Sequence, residues 1–348
     1  MIRLLLVEDS VTQREILRRL IDASGELVVI AEAKNGREAV ASVAKYRPDV
    51  VLMDIHMPDM DGVSATREIM RVTPVPIVIA SASLKQLDVD LGLEALKAGA
   101  VSVIEKPRGP VLLHLSKMAP ALCRELIGAS QARMTSRLHQ WSQPDRHCNR
   151  ATVEGLLCVI GMCASTGGPP VLLKILAALP KPFPLPVLLV QHIASGFVEG
   201  FARWLAGLSG QRVELAQQGQ ELAPGFWLSP GKKHLCLDHR GRFDLSTPQS
   251  EEIHCPSGNA LFRSMADCLG SRAMGILLTG MGDDGSDGLL QLRAAGGRTI
   301  VQDEETSLIY GMPKVAVERG AAQFQLSPSA IVEVIRGSIN SNSEPSPG

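Results

Sequence analysis

Three groups in the second half of the chain could carry out acyl transfer together: Ser165, His192 and one of the adjacent pair Asp283-Asp284. A serine hydroxyl is a weak nucleophile at neutral pH. It needs an imidazole to take its proton and an acid to fix the imidazole tautomer. Ser165 lies in Gly161-Met162-Cys163-Ala164-Ser165-Thr166-Gly167-Gly168-Pro169-Pro170, between the apolar run Leu156 to Ile160 and a helical pattern from Val171 to Leu179. Strand, small-residue turn, helix is the geometry that lifts one hydroxyl to the end of a sheet. The same turn would also suit a helix N-cap or a phosphate cradle. His192 follows the apolar run Pro186 to Val190, and Asp283-Asp284 follow Ala273 to Leu278. The order Ser, His, Asp is no objection, because triads occur in several chain orders. Gly280, Gly282 and Gly285 make a backbone-rich turn whose amides could face an oxyanion.

The first half carries a second constellation. Glu8 and Asp9 follow one apolar run, Asp54 a second, Ser81 a third and Lys106 a fourth. Converging carboxylates repel unless a hard cation sits among them, and Mg²⁺ suits an oxygen-only site. A carboxylate beside Mg²⁺ can attack a phosphoryl group, while an ammonium and a hydroxyl hold the added oxygens.

The elements that position these groups follow from hydrophobic patterning. In the first half, strands expected at Ile2 to Val7, Leu27 to Glu32, Asp49 to Met53, Pro76 to Ala80 and Val101 to Ile104 alternate with helices. Continuous Val/Ile/Leu runs separated by helices imply a parallel sheet covered on both faces, with function at the carboxyl ends of its strands. A closing helix is expected from Gly109 to Ile127, ended or kinked at Pro120. The second half again reads as α/β, with short strands from Val213 to Leu245 inserted in its middle.

The chain of 348 residues is 45% hydrophobic and 20% charged, with a formal net charge of −1. That size suggests two domains. The balance argues against a non-specific nucleic-acid or membrane binder. No apolar stretch is long enough to span a bilayer, and Met1-Ile2-Arg3-Leu4 runs into Glu8-Asp9 too soon for a signal peptide. Seven cysteines without a C-x-x-C pair read as reduced thiols in a cytoplasmic protein. A DNA-binding output would need a helix-turn-helix with a basic face, and neither is legible. An output half that only binds a partner or nucleotide is the other alternative.

With these motifs in view, the first half resembles a response-regulator receiver domain. Glu8-Asp9, Met53-Asp54-Ile55-His56-Met57-Pro58 with Asp61-Gly62, Ser81 and Lys106-Pro107 match its pattern. The resemblance implies a flavodoxin-like parallel sheet, Asp54 as phosphoacceptor, Mg²⁺ on Glu8, Asp9 and Asp54, phosphoryl contacts from Ser81 and Lys106, and a histidine kinase as phosphodonor. Val103 stands where an aromatic switch residue is usual, which shifts the expected signalling surface towards Ser81 and Ser83 to Leu96.

The second half resembles the catalytic domain of the CheB family of chemotaxis methylesterases. The matching runs are Ala164-Ser165-Thr166-Gly167-Gly168, Gln191-His192 with Gly196-Phe197, Pro230-Gly231 with His234-Leu235, Pro256-Ser257 with Leu261-Phe262, Leu278 to Gly285, and Tyr310-Gly311-Met312-Pro313. Cys163 stands where the family usually has Gly, and His254-Cys255-Pro256-Ser257-Gly258-Asn259 replaces a more usual Arg-Pro-Ser-x-Asp. The resemblance implies a doubly wound α/β hydrolytic domain with a β-hairpin insertion. It assigns Ser165 as nucleophile, His192 as base and acid, Asp284 as orienting acid and the Met281 backbone amide as oxyanion donor, with no cofactor in the esterase site. It implies hydrolysis of glutamate γ-methyl esters, and deamidation of glutamines, on the cytoplasmic region of a chemoreceptor fed by the kinase of a chemotaxis array. In the unphosphorylated state the receiver is expected to cover the Ser165 cleft. The expected organisation is a receiver over 1–125, a linker over 126–151, a catalytic domain over 152–340 and a disordered tail over 341–348.

Overall fold

The computed structural model describes residues 1–81, 86–106, 111–134, 157–248 and 254–343. They fall into two compact units, Met1–Met134 and Thr135–Gly348. Most of the expected linker, residues Ser83 to Lys85 of the expected signalling surface and residues 344–348 of the expected tail lie outside the described residues.

In the first unit, β1 (Ile2–Val7), β2 (Leu27–Ala33), β3 (Val50–Asp54), β4 (Ile77–Ser81) and β5 (Ser102–Glu105) form one sheet in the order β2-β1-β3-β4-β5. Every pairing is parallel. Helices α1 (Val11–Asp22), α2 (Gly36–Tyr46), α3 (Gly62–Val72), α4 (Gln86–Ala98) and α5 (Val111–Ser130) connect and close it. β3 and β4 are buried at every position, which is why the sequence shows unbroken apolar runs there. The helices start on side-chain caps: Ser10 accepts from the Gln13 amide, Asn35 from Glu38 and Asp61 from Ser64. The chain adds strands in opposite directions from β1 and β3, so a crevice opens at the carboxyl ends of these two.

Two expectations change here. Pro120 does not end α5, which continues to Ser130. Proline removes one intrahelical hydrogen bond, but Leu122, Cys123, Leu126 and Ala129 beyond it are buried, and the Cys123 thiol donates to the Leu20 carbonyl of α1 at 3.6 Å. Apolar burial outweighs one lost bond. Residues 126–130 therefore belong to this helix and not to a linker.

The second unit has a seven-stranded sheet in the order β14-β13-β12-β6-β7-β9-β8, all parallel. Its strands are β6 (Val159–Ala164), β7 (Pro186–Gln191), β8 (Val213–Leu215), β9 (Gly225–Leu228), β12 (Ala273–Leu277), β13 (Arg298–Gln302) and β14 (Phe324–Leu326). The expected hairpin is β10 (His234–Leu237) paired antiparallel with β11 (Phe243–Ser246). The helices are α6 (Gly168–Ala178), α7 (Val198–Ser209), α8 (Gly258–Leu269), α9 (Ser286–Ala294), α10 (Met312–Glu318) and α11 (Pro328–Ser343). Trp227, Leu235, Phe243, Phe262 and Met265 join hairpin, sheet and α8 in one core cluster.

β6 and β12 are central neighbours, and the sheet grows outward from each, so the strand order reverses between them. The crevice of a doubly wound sheet opens at that reversal. β6 runs further than its apolar run suggested. Gly161, Met162, Cys163 and Ala164 are strand residues, all buried, and the tight turn is confined to Ser165 to Gly167. β14 escaped sequence reading because it is a three-residue edge strand with two exposed positions. α11 reaches Ser343, so the expected tail from Ser341 begins inside a helix.

Candidate active site and phosphoacceptor site

Ser165 is the first residue after β6. Its amide donates to the Thr279 carbonyl at 3.0 Å, which ties the turn to the segment following β12. Its hydroxyl does not cap α6: the N-cap is Gly167, at φ 80°, with no side-chain cap bond, and Pro169 and Pro170 start the helix. That removes the reading of Ser165 as a capping residue. Close backbone approach is enforced by missing Cβ atoms. A Cβ on Gly280 would lie 2.7 Å from Ser165 Cβ and 2.3 Å from Met312 Sδ, and one on Gly168 would lie 2.3 Å from Gln191 Oε1. Only glycine lets the Gly280-Met281 segment pass beside the Ser165 side chain.

His192 follows β7, and its Nε2 lies 2.9 Å from Asp284 Oδ2. Asp284 is 4% exposed, and its carboxylate is saturated. Ser257 Oγ donates to Oδ1 at 2.7 Å, the Gly258 amide to Oδ2 at 2.6 Å and the Asn259 amide to Oδ1 at 3.1 Å. Burial raises this carboxyl, but the hydrogen bonds from His192, Ser257 and Gly258 outweigh it and hold it well below the usual carboxylate range. An ionised carboxylate only accepts, so Nε2 carries the proton and the neutral imidazole has its lone pair on Nδ1. Nδ1 is buried without a hydrogen-bond partner. The ring is thus turned the opposite way to the serine-protease template, in which Nδ1 faces the aspartate.

The neighbouring Asp283 plays a different part: it is exposed and pairs with Arg319 at 3.2 Å. Sequence reading missed several supports. Gln191 donates from Nε2 to the Ser165 carbonyl at 2.8 Å and to that of His192 at 3.0 Å, pinning the two turns together. The entry to α8 supplies the Asp284 cradle, and the His254 ring stacks on His192. The departure noted at residues 254–259 was the only signal in the sequence. Cys163, the other departure, is fully buried beneath Asp284, and burial pushes its thiol up further.

In the first unit, Glu8, Asp9 and Asp54 meet at the β1/β3 crevice with carboxylate oxygens within 4.8 Å of one another. Lys106 bridges two of them, with Nζ 2.6 Å from Glu8 Oε2 and 2.7 Å from Asp54 Oδ1. Glu8, Asp54 and Lys106 are all buried, while Asp9 is exposed. Burial raises the Glu8 carboxyl, opposed by the Lys106 hydrogen bond and reinforced by the Asp54 charge. An oxygen-only cluster holding more negative charge than one lysine can balance fits Mg²⁺. Ser81 ends β4, and its carbonyl accepts the Lys106 amide at 2.7 Å. A Cβ on Gly62 would lie 2.1 Å from the Asp54 carbonyl, so α3 can start against β3 only as glycine. Val103 is buried. His56 Nε2 bonds Asp88 Oδ1 of α4, a link between the loop after β3 and α4 that no motif announced.

The two folds define a response regulator: a parallel-sheet receiver unit joined to a doubly wound, all-parallel α/β unit. Residues 4–116 match the response regulator receiver domain and residues 160–335 the CheB methylesterase family. The chain belongs to the CheB methylesterase family. It is 40% identical over 343 residues to protein-glutamate methylesterase/protein-glutamine glutaminase 4 of Geobacter metallireducens, covering 96% of this chain and 98% of that one. It is 38% identical to protein-glutamate methylesterase/protein-glutamine glutaminase 4 of Myxococcus xanthus, over 97% of this chain and 98% of the relative. The Thermotoga maritima CheB methylesterase catalytic domain superposes with a TM-score of 0.50 at 34% identity, covering 52% of this chain and 99% of that domain. Among the described residues no helix is long and apolar enough to cross a membrane.

Proposed function

We propose that this protein hydrolyses glutamate γ-methyl esters on the cytoplasmic region of a chemoreceptor, and deamidates receptor glutamines at the same site, under control of phosphorylation at Asp54. The observation that carries the reading is the His192–Asp284 pair beside the Ser165 turn, with the Asp284 carboxylate held ionised by four donors. Ser165 Oγ attacks the ester carbonyl carbon and passes its proton to His192 Nδ1. The tetrahedral oxyanion takes hydrogen bonds from backbone amides, Met281 among them. Collapse breaks the bond to the methoxy oxygen, which leaves as methanol with the proton from His192. Water then attacks the acyl-enzyme, gives a proton to His192, and collapse returns it to Ser165 as the glutamate side chain leaves. With glutamine the same steps expel ammonia.

In the receiver, Glu8, Asp9 and Asp54 would hold Mg²⁺, which when bound offsets the charge of the incoming phosphoryl group. Asp54 accepts that group from a histidine kinase, and Lys106 and Ser81 hold its oxygens. Lys106 now spans Glu8 and Asp54, so phosphorylation must redistribute those contacts. That rearrangement is the event by which the receiver relieves its restraint on the esterase.

The test is methanol release from methylated receptor by wild type, Ser165→Ala and Asp54→Ala, with and without a small phosphodonor and Mg²⁺. The reading expects no release from Ser165→Ala, and stimulation by the phosphodonor only where Asp54 is present. Release by Ser165→Ala at the wild-type rate would overturn it.

A further inference from the structure

His192 is fixed at one atom by Asp284. A single hydrogen bond leaves the ring free to swing about the line from Nε2 to Oδ2, and such a swing would move Nδ1, the nitrogen that must meet the serine proton. The structure supplies a second constraint. The His254 ring lies parallel to that of His192, with centroids 4.8 Å apart and planes 5° apart. A hydrogen bond and a parallel stack together define both a point and a plane.

Both constraints come from one short stretch of chain. Residues 257–259 cradle Asp284, and His254, three residues earlier, covers His192. Ser257 does two jobs there. Its Oγ donates to Asp284 at 2.7 Å and accepts from the Ala260 amide at 3.3 Å, so the start of α8 and the acid are locked together. The Ser257 amide is itself held, donating to His234 Nδ1 at 3.1 Å.

We propose that His254 is a positioning residue of the esterase reaction: its ring, stacked on His192, fixes the plane of the base so that Nδ1 is presented to the Ser165 hydroxyl. The proposal rests on the Ser165–His192–Asp284 reading. It carries a consequence for charge. His192 becomes cationic as Ser165 attacks, and two stacked cations repel. The reaction therefore requires His254 to be neutral. Among the described residues, Asp284 from the loop after β12 bonds His192, Cys163 from β6 lies within 4.8 Å of both, and His234 from β10 holds the Ser257 amide. Asp284 favours one positive charge on the pair.

The experiment uses the full chain activated by a phosphodonor, and compares wild type, His254→Ala, His254→Phe and Ser165→Ala. His254→Ala removes the stack and is expected to lower kcat about tenfold to a hundredfold, with little change in KM. His254→Phe restores a stacking ring without a charge and is expected to recover kcat to within a few-fold of wild type. On the acid side, log kcat/KM should fall with a slope of about one in both, because repulsion holds the pair to one proton, and the fall should begin at lower pH in His254→Phe, where one of the two sites for that proton has been removed. Receiver phosphorylation and the thermal midpoint report whether each variant is folded. His254→Ala within twofold of wild type in kcat, with an unchanged acid limb, would overturn the proposal, as would a folded His254→Phe as slow as the alanine variant. If His254→Ala does not fold, His254→Phe decides by the same two readouts. Activity in Ser165→Ala would instead remove the triad reading on which the proposal stands, so the two failures are told apart.

Discussion

His192 Nε2 and the Gly258 amide share one oxygen of Asp284, at 2.9 Å and 2.6 Å. The carboxylate that bonds the His192 ring therefore also accepts the free amides at the start of α8. Helix N-termini favour negative charge, so the cap and the acid stabilise each other in one ionisation state. On the proposed mechanism, activity and stability are coupled through this single carboxylate.

Asp284→Asn tests that coupling. The neutral amide cannot favour the Nε2-protonated tautomer, and kcat should fall by about three to four orders of magnitude. The folded Asp284 carboxyl lies below its unfolded value. The stability it contributes is thus present above the ordinary carboxylate range, near pH 4, and is lost as pH falls from there towards the lowered folded value. Wild type should lose thermal stability through that window and Asp284→Asn should lose less. Equal acid sensitivity in the two proteins would refute the coupling.

Ser257→Ala separates the cap from the acid. It removes one donor to Asp284 and the N-cap bond to Ala260. Unfolding free energy should drop by about 1 kcal/mol, while kcat falls far less than in Asp284→Asn because the His192 contact remains. Chemical denaturation and methanol release measure the two effects on the same preparation.

Gly280 and Gly282 should respond in opposite ways. A Cβ at Gly280 collides with Ser165 and Met312, whereas one at Gly282, with φ at +87°, meets open space. Gly280→Ala must displace the Gly280-Met281 segment from Ser165 and should lower kcat by at least about tenfold. Gly282→Ala pays only for its left-handed backbone, about 1–2 kcal/mol of stability, with kcat retained. Similar activity losses in both would show that the close approach at Gly280 is not what matters.

Much of this was legible in sequence because the chemistry sits at strand ends. Strands β1, β3, β4, β6, β7 and β12 are largely buried, so their apolar runs announced them, and the candidate site groups follow within a few residues of each run's end. What stayed hidden was carried by side chains that cross between elements. Asp283 and Asp284 are adjacent, and only the α8 amides distinguish the one that faces His192. The end of β6 was obscured because Gly161 and Cys163 look like turn residues but pack under Met265 and Gly258. Pro120 suggested a helix end, yet burial of Leu126 and Ala129 kept α5 running. The stack of His254 on His192 spans unrelated stretches of chain, which no local pattern encodes.

The receiver makes its own thermodynamic prediction. Burial raises the Glu8 carboxyl above its usual range, so the charged form is disfavoured in the folded state. The stability associated with that group is full below the ordinary carboxylate range and is lost as pH rises through the raised folded value. At neutral pH and without Mg²⁺, Glu8→Gln should therefore melt at a higher temperature than wild type, and the gain should shrink as pH falls from the raised folded value towards about 4. The same substitution removes one of three metal-facing carboxylates, so stabilisation by Mg²⁺ and phosphorylation at Asp54 should both weaken. A protein that pays stability for a binding site shows this pattern of opposite effects. A Glu8→Gln variant that melts lower than wild type at pH 7 without metal would show that the Lys106 bridge, at 2.6 Å from Glu8, outweighs the cost of burying the charge.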